Sequence, residues 1–296
     1  MSSSSLSAGF VARSAMVGTR RIHYVEVGAG PVVLLLHGGG PGASGVSNYS
    51  RNIEALAARF RVVVPDMPGY GRSSKGVSRT DPFGDLATSM HGLLDALRVG
   101  RAHVVGNSLG GACALRMALD RPERVGRLVL MGPGGVDTTR SLPTAGLKCL
   151  FGYYEGNGPS LAKLTTFIRD YLVYDGAMVP ESLIRERYEA SIDPEVVAAP
   201  PLRRPKGLPN FRAIDFTRDA RLALLETPTL VLWGTDDKVN RPSGGRSLQR
   251  RMRNCDLYLF SRTGHWVQWE RPEEFNSAVT TFLARDAAGD REAVAA

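Results

Sequence analysis

Residues 31–36 (PVVLLL) form an unbroken apolar run that ends in a histidine and three glycines. A strand covered on both faces reads this way, whereas a strand with one wet face alternates. Residues 21–27 (RIHYVEV) do alternate, and predict a half-buried strand. Short apolar runs recur at residues 61–64, 102–105, 127–131, 229–233 and 257–260, each ending in turn residues. Between most of them, apolar residues fall at helical spacing, at about 50–59, 84–98, 109–120, 243–253 and 272–285. Strands alternating with helices predict a mostly parallel, doubly wound α/β sheet with helices on both faces.

The alternation stops between Gly135 and about Ala220. No buried-strand pattern occurs there. Helical patterns at roughly 160–173 and 180–191 lead to a Pro/Arg-rich connector, Pro200-Pro201-Leu202-Arg203-Arg204-Pro205. The expected organisation is a core of residues 1–138 and 219–296, interrupted by a helical lid of residues 139–218. A lid inserted there would roof a site above the sheet and exclude water from it. Residues 287–296 read as a frayed tail, and no internal repeat is visible.

Composition narrows the function classes. A chain of 296 residues, 43% hydrophobic and 22% charged, suits one large globular domain with an insertion. No apolar run reaches the roughly 18 residues of a membrane span, and Met1-Ser2-Ser3-Ser4-Ser5-Leu6 lacks the apolar core of a secretory signal. Cys113, Cys149 and Cys255 are odd in number and unrelated in spacing. They suit a reducing cytoplasm and form no metal-ligand pattern, so neither a metal nor an organic cofactor is expected. The net charge of +8 is scattered along the chain. Its densest cluster, Arg246, Arg250, Arg251 and Arg253, lies on a helix pattern whose apolar stripe is Leu248 and Met252, which predicts a solvated face rather than a nucleic-acid surface. A basic field does favour small anionic substrates.

The chemistry centres on Gly106-Asn107-Ser108-Leu109-Gly110, which follows the strand at 102–105 and opens the helix at 109–120. A serine at such a turn is held in a strained conformation with its hydroxyl raised, and the flanking glycines leave room for the turn. A nucleophilic serine needs a base and an acid to orient that base. Of the five histidines, only His265 follows the serine, in the loop Arg262-Thr263-Gly264-His265-Trp266 after a strand. His23 and His103 sit inside strand patterns, as packing or surface residues, and His91 in a helix pattern, as a structural one. The acid is expected at the end of the strand at 229–233, where Asp236 and Asp237 are both candidates by spacing. Asp66 precedes the serine and is read as shaping its own turn. Backbone N–H groups for an oxyanion would come from Leu109 and from the loop His37-Gly38-Gly39-Gly40-Pro41-Gly42.

The chain resembles the meta-cleavage product hydrolases, C–C bond hydrolases of bacterial aromatic and steroid ring degradation. The resemblance runs from about Tyr24 to Leu283. It rests on His37-Gly-Gly-Gly-Pro-Gly-Ala43 with Ser47-Asn48-Tyr49, on Gly106-Asn-Ser-Leu-Gly-Gly111 and on Leu130-Met-Gly-Pro-Gly-Gly135. Trp233-Gly-Thr-Asp-Asp-Lys-Val-Asn240 and Gly264-His-Trp-Val-Gln-Trp-Glu270 complete it. It implies an α/β-hydrolase fold with an eight-stranded, mostly parallel sheet and an inserted helical lid. It also implies Ser108, Asp237 and His265 as a triad, and Gly39, Gly40 and Leu109 around the oxyanion. Asn48, Asn107 and Trp266 would line the substrate pocket, and Arg187 on a lid helix would engage an anionic dienoate. The implied protein is a cofactor-independent cytoplasmic homodimer or homotetramer. Two features depart from the family pattern: Thr235 stands where arginine is frequent, and the connector at 202–211 is unusually basic and proline-rich. A serine esterase, lactonase or cofactor-free haloperoxidase of the same fold is the competing reading.

Overall fold

In the computed structural model, which describes residues 10–203 and 211–285, eight strands form one sheet. These are β1 (Val11–Val17), β2 (Arg20–Val27), β3 (Val32–Leu36), β4 (Arg61–Pro65), β5 (Ala102–Asn107), β6 (Val125–Met131), β7 (Thr229–Gly234) and β8 (Cys255–Phe260). Their spatial order is β1-β2-β4-β3-β5-β6-β7-β8. β1 and β2 pair antiparallel, as do β2 and β4, and every pairing from β4 through β8 is parallel. The expectations for residues 1–6, most of the connector and the tail at 287–296 lie outside the described residues.

The unbroken apolar runs follow from burial on both faces. Along β3, Leu34 and Leu36 join a core with α3 (Pro82–Ala96), α4 (Leu109–Asp120) and α10 (Ser243–Arg251). Val33 and Leu35 join the opposite core, with α1 (Gly45–Tyr49), α2 (Ile53–Ala57) and α12 (Pro272–Leu283). On α10 and the two residues after it, Leu248 and Met252 are buried while Arg246, Arg250 and Arg253 are exposed, so that arginine cluster is a solvated face.

Between β6 and β7 the described residues contain helices and turns and no strand. They include α5 (Ala145–Gly152), α6 (Leu161–Thr166), α7 (Glu181–Ser191), α8 (Pro194–Ala198) and α9 (Phe211–Ile214). The helix expected over 160–173 runs through α6 and changes pitch into a wide π turn, Phe167–Leu172. This insertion has its own core of Leu164, Phe167, Ile168 and Ile184, which closes on Trp266 and Trp269 beyond β8. The last helical segment before α12 is α11 (Val267–Glu270). No helix among the described residues is long and apolar enough to cross a membrane.

The early histidines serve the fold. His23 Nδ1 donates to Asp66 Oδ2 at 3.0 Å, and His91 Nε2 reaches the Met117 carbonyl at 3.3 Å. Asp66 also accepts from the Gly45 and Arg72 amides, which fixes the turn after β4. His103 lies at the amino end of β5 with its pKa pulled down to about 4, by burial first and by Arg127 and Arg101 next. Its folded pKa lies below the unfolded value of 6.5, so protons bind the unfolded chain preferentially between those limits. Stability should therefore decline as pH falls from about 6.5 to about 4, by up to about 3 kcal/mol from this group. Urea unfolding at pH 7, 5.5 and 4 on wild type and His103→Gln measures it; an identical acid loss in both proteins would remove His103 as a cause.

Candidate active site

Ser108 sits between β5 and α4 with φ 53° and ψ −111°. Positive φ is uncommon for a residue with a side chain, and it aims the serine up from the sheet. The flanking glycines are sterically required. A Cβ on Gly106 would lie 2.3 Å from the Gly110 carbonyl oxygen, and one on Gly110 would lie 2.1 Å from the Leu36 carbonyl oxygen. The elbow is tied to β6, because Ser108 N–H donates to the Met131 carbonyl at 2.9 Å and Gly134 N–H donates to the Ser108 carbonyl. Ser108 itself is half-buried.

The two aspartates left open by spacing part company here. His265 Nδ1 donates to Asp237 Oδ2 at 2.7 Å, with both side chains buried. Trp233 Nε1 also donates to that oxygen, while the amides of Val239 and Asn240 donate to Oδ1. Four donors fix the carboxylate, which in turn fixes the imidazole. Asp236 instead accepts from the neighbouring Thr235 hydroxyl at 2.7 Å. With Nδ1 donating to a carboxylate, Nε2 carries the free lone pair, and among the described residues this buried atom has no hydrogen-bond partner. The ring lies against Gly132, where a Cβ would be 3.1 Å from Nδ1, one residue past the carbonyl that holds Ser108. Serine and imidazole thus converge on the carboxyl end of β6.

The glycine loop after β3 lies against the same elbow. A Cβ on Gly38 would be 3.6 Å from Ser108 Cβ, and one on Gly39 would be 3.1 Å from Leu109 Cβ. A Cβ on Gly38 would also lie 2.8 Å from Asn107 Oδ1, so the loop packs closely against the elbow. Arg187 reaches the loop from α7, 2% exposed, with Nε donating to the Pro41 carbonyl at 3.1 Å. A Cβ on Gly40 would meet the Arg187 guanidinium at 2.5 Å, and Arg187 lies 5.4 Å above the Trp266 ring. No carboxylate among the described residues is within ion-pair distance of it. Burial lowers its pKa to about 10, so the group remains a cation at neutral pH.

The Alpha/beta hydrolase family matches residues 33–278. A 2-hydroxy-6-oxononadienedioate/2-hydroxy-6-oxononatrienedioate hydrolase of a Pseudomonas species is 40% identical over 274 residues, 89% of this chain and 92% of that one. A 2-hydroxy-6-oxo-6-phenylhexa-2,4-dienoate hydrolase of Comamonas testosteroni is 40% identical over 88% of this chain and 91% of its own. The solved meta-cleavage product hydrolase of Pseudomonas fluorescens IP01 superposes with a TM-score of 0.81 at 34% identity, covering 92% and 97% of the two chains. This chain belongs to the meta-cleavage product hydrolases, within the alpha/beta hydrolase family.

In this meta-cleavage product hydrolase the remaining expected residues divide by what they touch. Trp266 is buried, stacks on Trp269 at 5.2 Å, and has an indole N–H with no partner among the described residues. Asn48 is buried on α1, and its Oδ1 accepts from Gln268 Nε2 at 2.6 Å. Asn107 is buried, and its side-chain amide donates to the carbonyls of His265 at 3.3 Å and Met131 at 3.4 Å. It therefore braces the histidine loop.

Three contributors lay outside the sequence reading. Gln268 holds Asn48. Glu270 accepts from the amides of Gly264, Trp266 and Tyr174, joining the histidine loop to the inserted segment. Burial raises its pKa, offset by those three amides. Tyr70 donates from its hydroxyl to the Gly39 carbonyl at 3.1 Å. Gln268 and Glu270 stand within the Gly264–Glu270 motif, but polar residues in a motif do not disclose their partners. Tyr70 had no local signal.

Proposed function

We propose that the protein hydrolyses a C–C bond in 2-hydroxy-6-oxo-hexa-2,4-dienoates, the ring-fission products of extradiol dioxygenation. The observation that carries the reading is Arg187: a buried guanidinium with no carboxylate within ion-pair distance among the described residues, set against the glycine loop that also packs on the serine elbow, suits an anionic substrate, and a plain esterase needs no such group. Relatives named for such dienoates, 40% identical over most of the chain, support the same substrate class.

A carbanion is a poor leaving group, so the bond must first be activated. Arg187 and Asn48 hold the carboxylate and 2-oxygen end while the dienol loses its hydroxyl proton and C5 gains one, with His265 assisting. In the resulting 2,6-diketone, departing electrons can be delocalised onto the 2-oxygen. Ser108 Oγ then bonds to C6 as His265 Nε2 takes its proton, and Asp237 stabilises the imidazolium. The C6 oxygen becomes an oxyanion facing the N–H groups of Leu109 and the Gly39-Gly40 segment. The C5–C6 bond breaks, its pair forming a dienolate that receives the proton from His265. Water then attacks the acyl ester, and the acid carrying the C6 substituent leaves.

A panel of ring-fission products with alkyl, phenyl or steroid-derived C6 substituents tests this, monitored by loss of the dienolate absorbance. At least one should decay to a pentadienoate and the matching acid. Stability of every dienolate alongside brisk p-nitrophenyl ester hydrolysis would make the protein an esterase. Both an aromatic and a steroid origin of the substrate fall within the proposal, as does a cytoplasmic homodimer or homotetramer, which light scattering would size.

A further inference from the structure

The carbonyls of the glycine loop are pinned one after another. His37 Nε2 accepts from the Met67 amide at 2.9 Å, which leaves the proton on Nδ1 to donate to the Gly38 carbonyl at 2.8 Å. Tyr70 Oη donates to the Gly39 carbonyl at 3.1 Å, the Ala43 amide to the Gly40 carbonyl at 3.1 Å, and Arg187 Nε to the Pro41 carbonyl. A trans peptide points its N–H opposite to its C=O, so fixing a carbonyl aims the next residue's amide. The Tyr70 hydroxyl therefore sets the direction of Gly40 N–H, as His37 sets that of Gly39 N–H. The two rings meet edge to face at 4.9 Å, and both are buried, so neither can swing without unpacking the other. Glycine alone offers no side chain to restrain these peptides. The restraint comes from the turn after β4, which Asp66 organises.

We propose that Tyr70 is a positioning residue for transition-state stabilisation, holding the Gly39-Gly40 peptide so that its N–H faces the developing oxyanion. This rests on the reading of Ser108 as nucleophile, and it does not depend on which bond the enzyme cleaves. Tetrahedral, negatively charged species gain from a correctly aimed N–H, whereas the planar substrate carbonyl gains less.

Tyr70→Phe keeps the ring against His37 and removes only the hydroxyl. It is assayed on a dienoate and on p-nitrophenyl acetate, together with affinities for phenylboronic acid, which forms a tetrahedral anion on serine, and for the pentadienoate product. Loss of one aimed donor predicts a fall in kcat of about 10- to 100-fold on both substrates, with boronate affinity weakened by a similar factor. KM and product affinity should stay within roughly threefold of wild type, since ground-state contacts are untouched. Equal weakening of boronate and product would reveal a merely structural role and overturn the proposal, as would unchanged kcat and boronate affinity. If wild type hydrolyses the ester and leaves every dienoate intact, the substrate reading fails while the ester and boronate results still decide the role of Tyr70.

Discussion

Ser108→Ala should lower steady-state turnover of a dienoate by about four to six orders of magnitude, the scale of loss when a triad nucleophile is removed. The expectation follows from how completely the site is built around this one hydroxyl. The elbow holds Ser108 at a positive φ, between glycines that tolerate no Cβ. His265 Nε2 is left as the single ring atom able to take a proton. Removing the hydroxyl leaves Arg187, Asn48 and His265 in place, so the proposed ketonisation should survive. In stopped-flow absorbance the variant should convert dienolate to ketone and then stall. His265→Ala added to Ser108→Ala should cost little more, because the two act as a unit. Single-turnover cleavage at wild-type rates in Ser108→Ala would reject the nucleophile and favour direct attack of water on C6, with His265 as base.

The parts of this molecule that were legible in the sequence are those with a local physical cause. The continuous apolar run of β3 reflects two buried faces, and the glycines around Ser108 reflect backbone contacts within a few residues. β1 left no such trace: it is an edge strand with Val11 and Met16 exposed, so neither alternation nor a continuous run marks it. Of the helix expected over 50–59 only α2, Ile53–Ala57, forms; residues 50–52 are a turn between α1 and α2, where Asn52 donates to the Gln268 carbonyl and to Asn276 far along the chain. Spacing could not rank Asp236 against Asp237, since the choice depends on four donors assembled from a strand end, a turn and a distant loop. Arg187 reads from its helix alone as an ordinary exposed arginine. Its burial depends on a glycine loop nearly 150 residues earlier and on Trp266, and only the family resemblance pointed to it.

That burial underlies the second large effect. Arg187→Ala should slow ketonisation and raise the dienoate KM, together costing about two orders of magnitude in kcat/KM, as expected when charge-assisted bonds to a carboxylate are lost. Ester hydrolysis has no carboxylate to hold, and should fall only through looser support of the Pro41 carbonyl. Arg187→Lys keeps the charge but not the planar fork, and should recover part of the dienoate activity. An unchanged ketonisation phase in Arg187→Ala would remove the residue from substrate activation. Stability supplies an independent readout. A guanidinium 2% exposed, with no carboxylate within ion-pair distance among the described residues, is a cost to the fold that burial alone does not recover. If Arg187 is there for the substrate, its removal should leave the melting temperature unchanged or higher while dienoate turnover collapses. A melting temperature that falls with activity would instead make Arg187 a brace between the inserted helices and the glycine loop, with the loss on dienoates following from a loosened site.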